Sequence, residues 1–168
     1  MLVTRGTLIF ALFGCGQLDK QEDSHTDRVE DTSSDVEESQ YNIWSGDSIT
    51  FTKQNFADHT DPANQDVLTN RVVLTRTDRG SLINVVIEES ASSTSPEGTE
   101  WSIGSTDEIE QLFFTPLKEA VNNNMSGLAG KSLVLHLLED DIYIDVTFLS
   151  WTAGGAGGGF SYERSTSE

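Results

Sequence analysis

The sequence predicts a mainly β protein, an antiparallel β-sandwich or curled meander of about six to seven strands with one short helix. Three observations lead to this prediction. Short runs rich in β-branched residues recur from Tyr41 onward, turn-forming residues separate them, and a single stretch carries the start and stop signals of a helix. The chain has 168 residues, which suits one domain of ordinary size.

The first predicted strand covers residues 48–52, where Ile49 and Phe51 alternate with polar side chains and should share one face. The first predicted hairpin joins residues 71–77 to residues 81–88, two runs rich in β-branched side chains. Between them lies Asp78-Arg79-Gly80, in which the glycine can adopt the positive φ that tight turns require.

The second predicted hairpin joins residues 131–138 to residues 142–151 through a turn of three acidic residues. In its second strand, Ile142, Ile144, Val146 and Phe148 alternate and should share one face. The same alternation assigns a second set of side chains to the opposite, partly polar face: Tyr143, Asp145, Thr147, Leu149 and Trp151. A short last strand is predicted at residues 160–164.

One short helix is predicted between the two hairpins. Thr115 is a suitable N-cap, and Pro116 suits the first helical position because its missing N–H has no partner there. The helix would continue through Val121, and the three asparagines that follow would end it.

Residues 1–14 have the features of a signal peptide. Arg5 precedes an apolar run over residues 8–13. That run is too short to cross a bilayer, which takes about 20 apolar residues, but it matches the apolar core of a presequence. We therefore predict that residues 1–14 direct export.

The apolar run ends at Leu12-Phe13-Gly14-Cys15, which resembles the lipobox of bacterial lipoproteins. The resemblance implies that Cys15 is lipidated and becomes the first residue of the mature protein, held on a membrane by its acyl chains. Gly16 follows in place of an aspartate that would retain the protein in the inner membrane, which implies the outer membrane of a two-membrane bacterium. The alternative is a buried N-terminal strand in which Cys15 is an ordinary small apolar residue.

Residues 15–40, which begin with the lipidated cysteine, form a predicted acidic tether. From residue 16 onward this segment holds nine acidic residues, two basic residues, three aliphatic residues and no aromatic residue. Such a composition cannot bury enough apolar surface to offset the entropy lost on folding, so we expect a disordered spacer before a folded domain at residues 41–168.

The predicted domain is itself strongly acidic, with 7 basic residues against 19 acidic residues in a chain whose net charge is −18. Binding to nucleic acids depends on Lys and Arg that neutralise phosphates, so we exclude a nucleic-acid partner. Docking on anionic lipid headgroups through a basic patch is disfavoured for the same reason. On net charge, we expect neutral glycans, cations or basic surfaces as partners.

Several short motifs stand out in the domain. They are Gly46–Lys53 (GDSITFTK), residues 61–66 (DPANQD), Thr75-Arg76, and a C-terminal stretch in which Ser-Trp-Thr, a glycine run and Phe-Ser-Tyr follow one another. In this combination they resemble an uncharacterised domain of exported bacterial proteins, over roughly residues 44–166. The resemblance implies a single secreted domain and brings no activity with it.

The glycine run at residues 154–159 precedes a strand and lacks the Lys and Ser or Thr of a phosphate-binding loop, so it does not predict nucleotide binding. It is either a flexible or tightly wound connection, or a place where missing side chains let a ligand approach nearby aromatic residues. The candidate ligand-binding residues are Trp101, Trp151, Phe160 and Tyr162, which we expect to include exposed rings that stack on sugars.

Residues 58–66 concentrate the oxygen ligands that calcium prefers. The spacing is not that of an EF-hand loop, so the candidate calcium site is defined by composition alone, at Asp58, Asp61, Asn64 and Asp66. The alternative is ordinary turn chemistry, in which the Asp and Asn side chains accept backbone hydrogen bonds. Calcium is the sole cofactor that the sequence suggests.

Catalysis has no recognisable signature, because HExxH and GxSxG motifs are both missing from the sequence. A hydrolase would need two carboxylates facing each other across a cleft, from among Glu88, Glu100, Glu110 and Asp145. We therefore predict a non-catalytic lipoprotein of the cell envelope whose β domain is an interaction module for a polysaccharide or an envelope protein. The alternatives are a hydrolase with paired carboxylates and a calcium-stabilised structural domain of the envelope.

Overall fold

The computed structural model describes residues 40–168, so the predicted signal peptide, Cys15 and all but the last residue of the predicted tether lie outside the described residues. This part of the chain is mainly β, as predicted, with two sheets and one short α-helix. The strands are β1 (Asn42–Ile43), β2 (Gly46–Lys53), β3 (Asp66–Val67), β4 (Val73–Thr75), β5 (Ile83–Asn84), β6 (Thr99–Ile103), β7 (Ser132–Leu137), β8 (Ile142–Trp151) and β9 (Phe160–Thr166). Helix α1 spans Leu117–Ala120, and 3-10 helices span Pro62–Asn64, Thr106–Gln111 and Met125–Gly127. Within residues 40–168, no helix is long and apolar enough to span a membrane.

The larger sheet has six strands and is built on a meander. Strands β6, β7, β8 and β9 follow one another and pair antiparallel, and β2 adds to the outer edge of β9. Strand β1 pairs parallel with the start of β8, where β9 no longer reaches. The smaller sheet is antiparallel and has the order β3-β4-β5.

One continuous core fills the space between the meander and the elements that cover it. The meander contributes alternate residues of β7 and β8, the covering elements contribute residues from the smaller sheet and α1, and Trp101 of β6 is fully buried among them. Burying one such Leu, Ile or Phe side chain contributes about 1.5–3 kcal/mol. The buried members of the meander and its cover include Leu133, Leu135, Ile144, Val146, Phe148, Leu74, Leu82 and Leu117.

A β-bulge in β8 overturns the prediction for Trp151. Phe148 pairs with Tyr162, and Trp151 pairs with Phe160, but the register shifts by one residue between Phe148 and Ser150. A bulge of this kind moves every later side chain to the other face of the sheet. Trp151 therefore lies on the core side, packed against Phe148 and Phe160, and the predicted position beside the polar residues of β8 is wrong.

Both predicted hairpins form, although the strands of the first are shorter than expected. Strand β5 ends early because the side chain of Asn84 replaces strand pairing. The Asn84 Oδ1 accepts from the N–H of Val73 at 3.0 Å, and the Asn84 Nδ2 donates to the carbonyl oxygens of Arg71 and Glu97 at 2.9 and 3.1 Å. Gly80 has a φ of +89°, as the turn prediction requires.

The predicted helix forms, but its N-terminus differs from the prediction by one residue. The backbone of Thr115 exchanges two hydrogen bonds with Trp101, at 2.7 and 3.0 Å, so Thr115 extends the sheet and does not cap the helix. Pro116 occupies the N-cap position, and α1 begins at Leu117. Asn122 and Asn123 adopt φ of 53° and 60°, and these left-handed conformations end the helix where the asparagine run predicted.

Candidate functional site

A cleft with a volume of about 900 Å³ is the candidate site. It lies where four segments meet: the turn of the first hairpin, the loop at residues 90–93, helix α1 with the 3-10 helix that follows it, and the chain after β8. The volume is within the range of clefts that bind small molecules.

Arg76 and Trp151 both line the cleft. The guanidinium carbon of Arg76 lies 3.7 Å from the centroid of the Trp151 ring, which is a close cation–π contact. The Arg76 Nε donates to the carbonyl oxygen of Gly80 at 2.9 Å, and Nη1 donates to the carbonyl oxygens of Thr152 and Gly159 at 2.9 and 3.3 Å. These contacts fix both the position and the plane of the guanidinium group.

The second amino group of Arg76, Nη2, has no hydrogen-bond partner in residues 40–168, although the residue as a whole is 2% exposed. Since no fully buried side-chain nitrogen or oxygen of the described residues lacks a partner, Nη2 is not fully buried, and Arg76 is one of the residues that line the cleft. No carboxylate of the described residues pairs with this guanidinium, and burial lowers the pKa of Arg76 to about 10.

One wall of the cleft is a serine-rich loop that Glu88 holds in place. The Glu88 carboxylate accepts from the N–H groups of Asn84 and Glu97 at 2.8 and 2.9 Å, and it also accepts from the hydroxyl of Ser95. The hydroxyl of Ser95 in turn accepts from the N–H of Ser92 at 2.7 Å. A carboxylate that binds residues before and after the loop fixes its shape.

Helix α1 and the 3-10 helix that follows it also line the cleft. Lys118 of α1 lines the cleft, together with Met125 and Ser126, and Met125 packs against the core. Gly154 and Gly155 lie at the rim, and neither glycine has an atom within 4 Å of where a Cβ would stand. The missing side chains therefore keep this side of the cleft open.

The cleft has a charge opposite to that of the domain. Three of the domain's 7 basic residues line it, namely Arg76, Arg79 and Lys118, and none of its 19 acidic residues does. Five serines contribute hydroxyl or backbone groups to the same lining. The net charge that disfavoured anionic partners thus does not describe the local surroundings of this site.

The second half of the glycine run is buried structure, in contrast to the first half. Gly157 and Gly159 pack against Asn55, whose Oδ1 accepts from the N–H of Gly159 at 2.9 Å, and the carbonyl oxygen of Gly157 accepts from the N–H of Phe56 at 2.7 Å. At Gly158, a Cβ would stand 1.8 Å from the carbonyl oxygen of Thr77. A tightly wound connection and an open cleft rim therefore both occur within the run.

The structure separates the four aromatic residues predicted to bind a ligand. Trp101, Phe160 and Tyr162 are at most 1% exposed, so the expectation of exposed rings is wrong for Trp101 and Tyr162. Trp101 donates from Nε1 to the Thr99 hydroxyl at 2.9 Å, inside the core. Of the four, Trp151 alone lines the cleft.

The candidate calcium residues are engaged in other contacts. Asp61 accepts from the N–H of Ala63 at 2.9 Å and caps a 3-10 helix, and Asp58 accepts from the N–H and hydroxyl of Thr60 at 2.9 and 2.8 Å. Asn64 donates to the carbonyl oxygen of Asp58 at 2.8 Å, while Asp66 points into the core. In the part of the chain that the structure describes, no group of three His, Cys, Asp or Glu residues is arranged to hold a metal ion.

The carboxylates considered for a hydrolase lie away from this cleft. Glu88 holds the serine-rich loop, and Asp145 accepts from the N–H and hydroxyl of Thr106 at 2.9 and 2.6 Å. Glu100 stands opposite His136 in the pairing of β6 with β7, and Glu110 lies on an exposed 3-10 helix position.

A scan against protein-family models found no matching family, and searches of the curated proteins and of the solved structures found no matching protein.

The sequence analysis did not identify the cationic residues of the site. One local signal was available, since Arg76 lies just before the turn of the first hairpin and Arg79 lies within it. Their approach to Lys118 and Trp151, which are far along the chain, depends on the tertiary fold.

Proposed function

We propose that the chain is an exported, lipid-anchored protein of the cell envelope whose β domain is a non-catalytic binding module, with a saccharide as its ligand. The observation that carries the proposal is the cleft of about 900 Å³ at Arg76 and Trp151. It is large enough for a few sugar rings and open on the side of Gly154 and Gly155.

The lining of the cleft supports a saccharide because it offers both kinds of contact that a sugar needs. Serine hydroxyl and backbone groups can exchange hydrogen bonds with sugar hydroxyls. Trp151, Met125 and Ala153 supply apolar surface for the C–H faces of the ring. No carboxylate, histidine or cysteine lines the cleft, so binding fits the lining better than acid–base catalysis does.

Membrane anchoring is the second part of the proposal, and it is supported by the lipobox-like Leu12-Phe13-Gly14-Cys15. We expect the wild-type chain to incorporate labelled palmitate when it is expressed in a two-membrane bacterium, and to fractionate with the outer membrane. The variant Cys15→Ala should incorporate no label, because the thiol that carries the acyl group is gone. Equal labelling of both chains would contradict the assignment of Cys15.

A variant that fills the cleft tests the binding function. Gly155 adopts an ordinary backbone conformation and has open space where a Cβ would stand, so Gly155→Trp should fold normally. We expect the added ring to occupy the cleft and to weaken glycan binding by roughly tenfold or more, the effect of losing one or two good contacts. Affinity is measured on a glycan array and then by isothermal titration.

The matched control is Ala156→Trp, which adds the same ring one residue away, at an exposed position that does not line the cleft. This variant should bind like the wild type. Equal loss in both variants would mean that the ring disturbs the loop in general. If the wild-type chain binds no glycan, the proposed function is wrong.

A further inference from the structure

We propose that the saccharide bound in the cleft is acidic, and that Arg76 binds its carboxylate or sulfate group through Nη2. This inference rests on the binding function proposed above and deepens it, because it names the charge class of the ligand. Three independent observations carry it.

The first observation is the fixed geometry of the guanidinium group. Three of the five N–H groups of Arg76 donate to carbonyl oxygens of the protein, and Trp151 packs against the guanidinium plane. The remaining two N–H groups, on Nη2, have no partner among the described residues and are not fully buried, in a side chain that lines the cleft. A donor that is already oriented loses little conformational freedom when it binds, so a hydrogen bond to a ligand oxygen costs little conformational entropy.

The second observation is the lack of a counter-ion. Arg76 is as buried as Arg164, which is 5% exposed, but Arg164 forms an ion pair with Asp66. No described carboxylate plays this role for Arg76. A buried cation without an anion is unfavourable, and an oxyanion on the ligand would supply the missing charge.

The third observation is the distribution of charge around the cleft. Arg79 and Lys118 add two cations to the lining, and the 19 acidic residues of the domain all lie elsewhere. An anion in the cleft would therefore meet attraction from three side chains. A long polyanion would also have to cross the acidic surface outside the cleft, so the fit is best for a short or terminal acidic sugar.

The test uses a glycan array of matched pairs, in which oligogalacturonates stand beside their methyl esters and sulfated disaccharides stand beside their desulfated forms. The full chain is applied, and every pair that binds is measured again by isothermal titration. We expect the acidic member to bind at least about tenfold more tightly than its neutral counterpart, as befits one charge-assisted contact.

Two variants test the role of the cations. Arg79→Ala combined with Lys118→Ala removes surface cations and should fold normally, while lowering affinity for the acidic glycan by about tenfold. Lys131→Ala removes a cation outside the cleft and should leave affinity unchanged. Arg76→Lys keeps the charge but loses the planar guanidinium group that the protein contacts hold in place, and should reduce the preference for the acidic member of a pair by about several-fold.

Because Arg76→Lys is a buried change, its fold is checked by thermal melting. The guanidinium ¹⁵N signals of the wild-type chain provide the second readout, since the Arg76 signals should shift on titration with trigalacturonate. Equal binding of both members of each pair, or binding confined to neutral glycans, would overturn this inference and leave saccharide binding intact. No binding to any glycan would overturn both proposals.

Discussion

Replacing Asp66 with asparagine is expected to lower the free energy of unfolding by about 3–5 kcal/mol, the effect of breaking a buried ion pair by removing one partner. The Asp66 carboxylate accepts from Arg164 Nε at 2.7 Å and Nη2 at 2.8 Å, and from the hydroxyl of Tyr162 at 2.6 Å. All three side chains are buried. Asparagine keeps the shape of the side chain but leaves the Arg164 charge without a counter-ion.

This network also connects the two sheets. Asp66 belongs to β3 of the smaller sheet, whereas Tyr162 and Arg164 belong to β9 of the larger one. Burial and the neighbouring Asp66 carboxylate raise the pKa of Tyr162 well above its usual value, so its hydroxyl stays protonated and keeps donating. A loss of this contact should therefore loosen the packing of β3 on the meander.

Equilibrium unfolding in urea, followed by tryptophan fluorescence, measures the effect of Asp66→Asn. Asp47→Asn is the control, because it changes the same charge at an exposed position of strand β2 and should stay within about 0.5 kcal/mol of the wild type. A loss below about 1 kcal/mol for Asp66→Asn would show that the buried pair contributes little.

Replacing Gly158 with alanine is the second change with a large expected effect, a loss of more than about 3 kcal/mol or a failure to fold. A Cβ at this position would stand 1.8 Å from the carbonyl oxygen of Thr77 and 2.9 Å from the Cα of Asp78. Both are backbone atoms, so relief of the clash requires the connection between β4 and β5 to move. That connection includes Arg76 and Arg79, which line the cleft, so the cleft should be distorted as well.

Alanine substitutions at two other glycines of the same run distinguish the effect of the steric clash from the effect of backbone strain. Gly154 has a φ of +63°, close to the +66° of Gly158, but open space around its missing Cβ, so Gly154→Ala should lose only about 1–2 kcal/mol. Gly155 has neither the positive φ nor a neighbour, so Gly155→Ala should be neutral or stabilising by up to about 1 kcal/mol. If thermal melting shows similar losses of stability for Gly154→Ala and Gly158→Ala, backbone strain alone explains why glycine is needed at position 158.

Local patterns predicted the elements that local chemistry controls. The β-branched runs around Asp78-Arg79-Gly80 and the acidic turn after β7 became hairpins, and the asparagine run ended α1. Strand β6 was missed although Thr99, Trp101 and Ile103 alternate along it, because five residues between two loops give a weak pattern. The strands of the smaller sheet are shorter than predicted because the Asn84 side chain binds the backbone there. Sequence periodicity does not predict such side-chain contacts.

Composition averages over the whole surface, so it does not predict which residues line one cleft. Net charge argued against anionic ligands, but tertiary contacts gather Arg76, Arg79 and Lys118 in one cleft and exclude carboxylates from it. In the same way, aromatic residue type suggested Trp101 and Tyr162 as exposed platforms, whereas both are core residues. Residue type predicts what a side chain can do, and burial determines whether it is available.

The sequence by itself determined that residues 41–168 form a mainly β fold with two hairpins and one short helix, because alternation, turn residues and helix stop signals act over a few positions. Only the tertiary structure decided that Arg76 is buried without a counter-ion among the described residues and that Gly158 packs directly against backbone atoms. It also decided on which face of the sheet Trp151 lies. Those outcomes depend on contacts such as that of Arg76 with Gly159, between residues that the chain brings together only when the sheet forms.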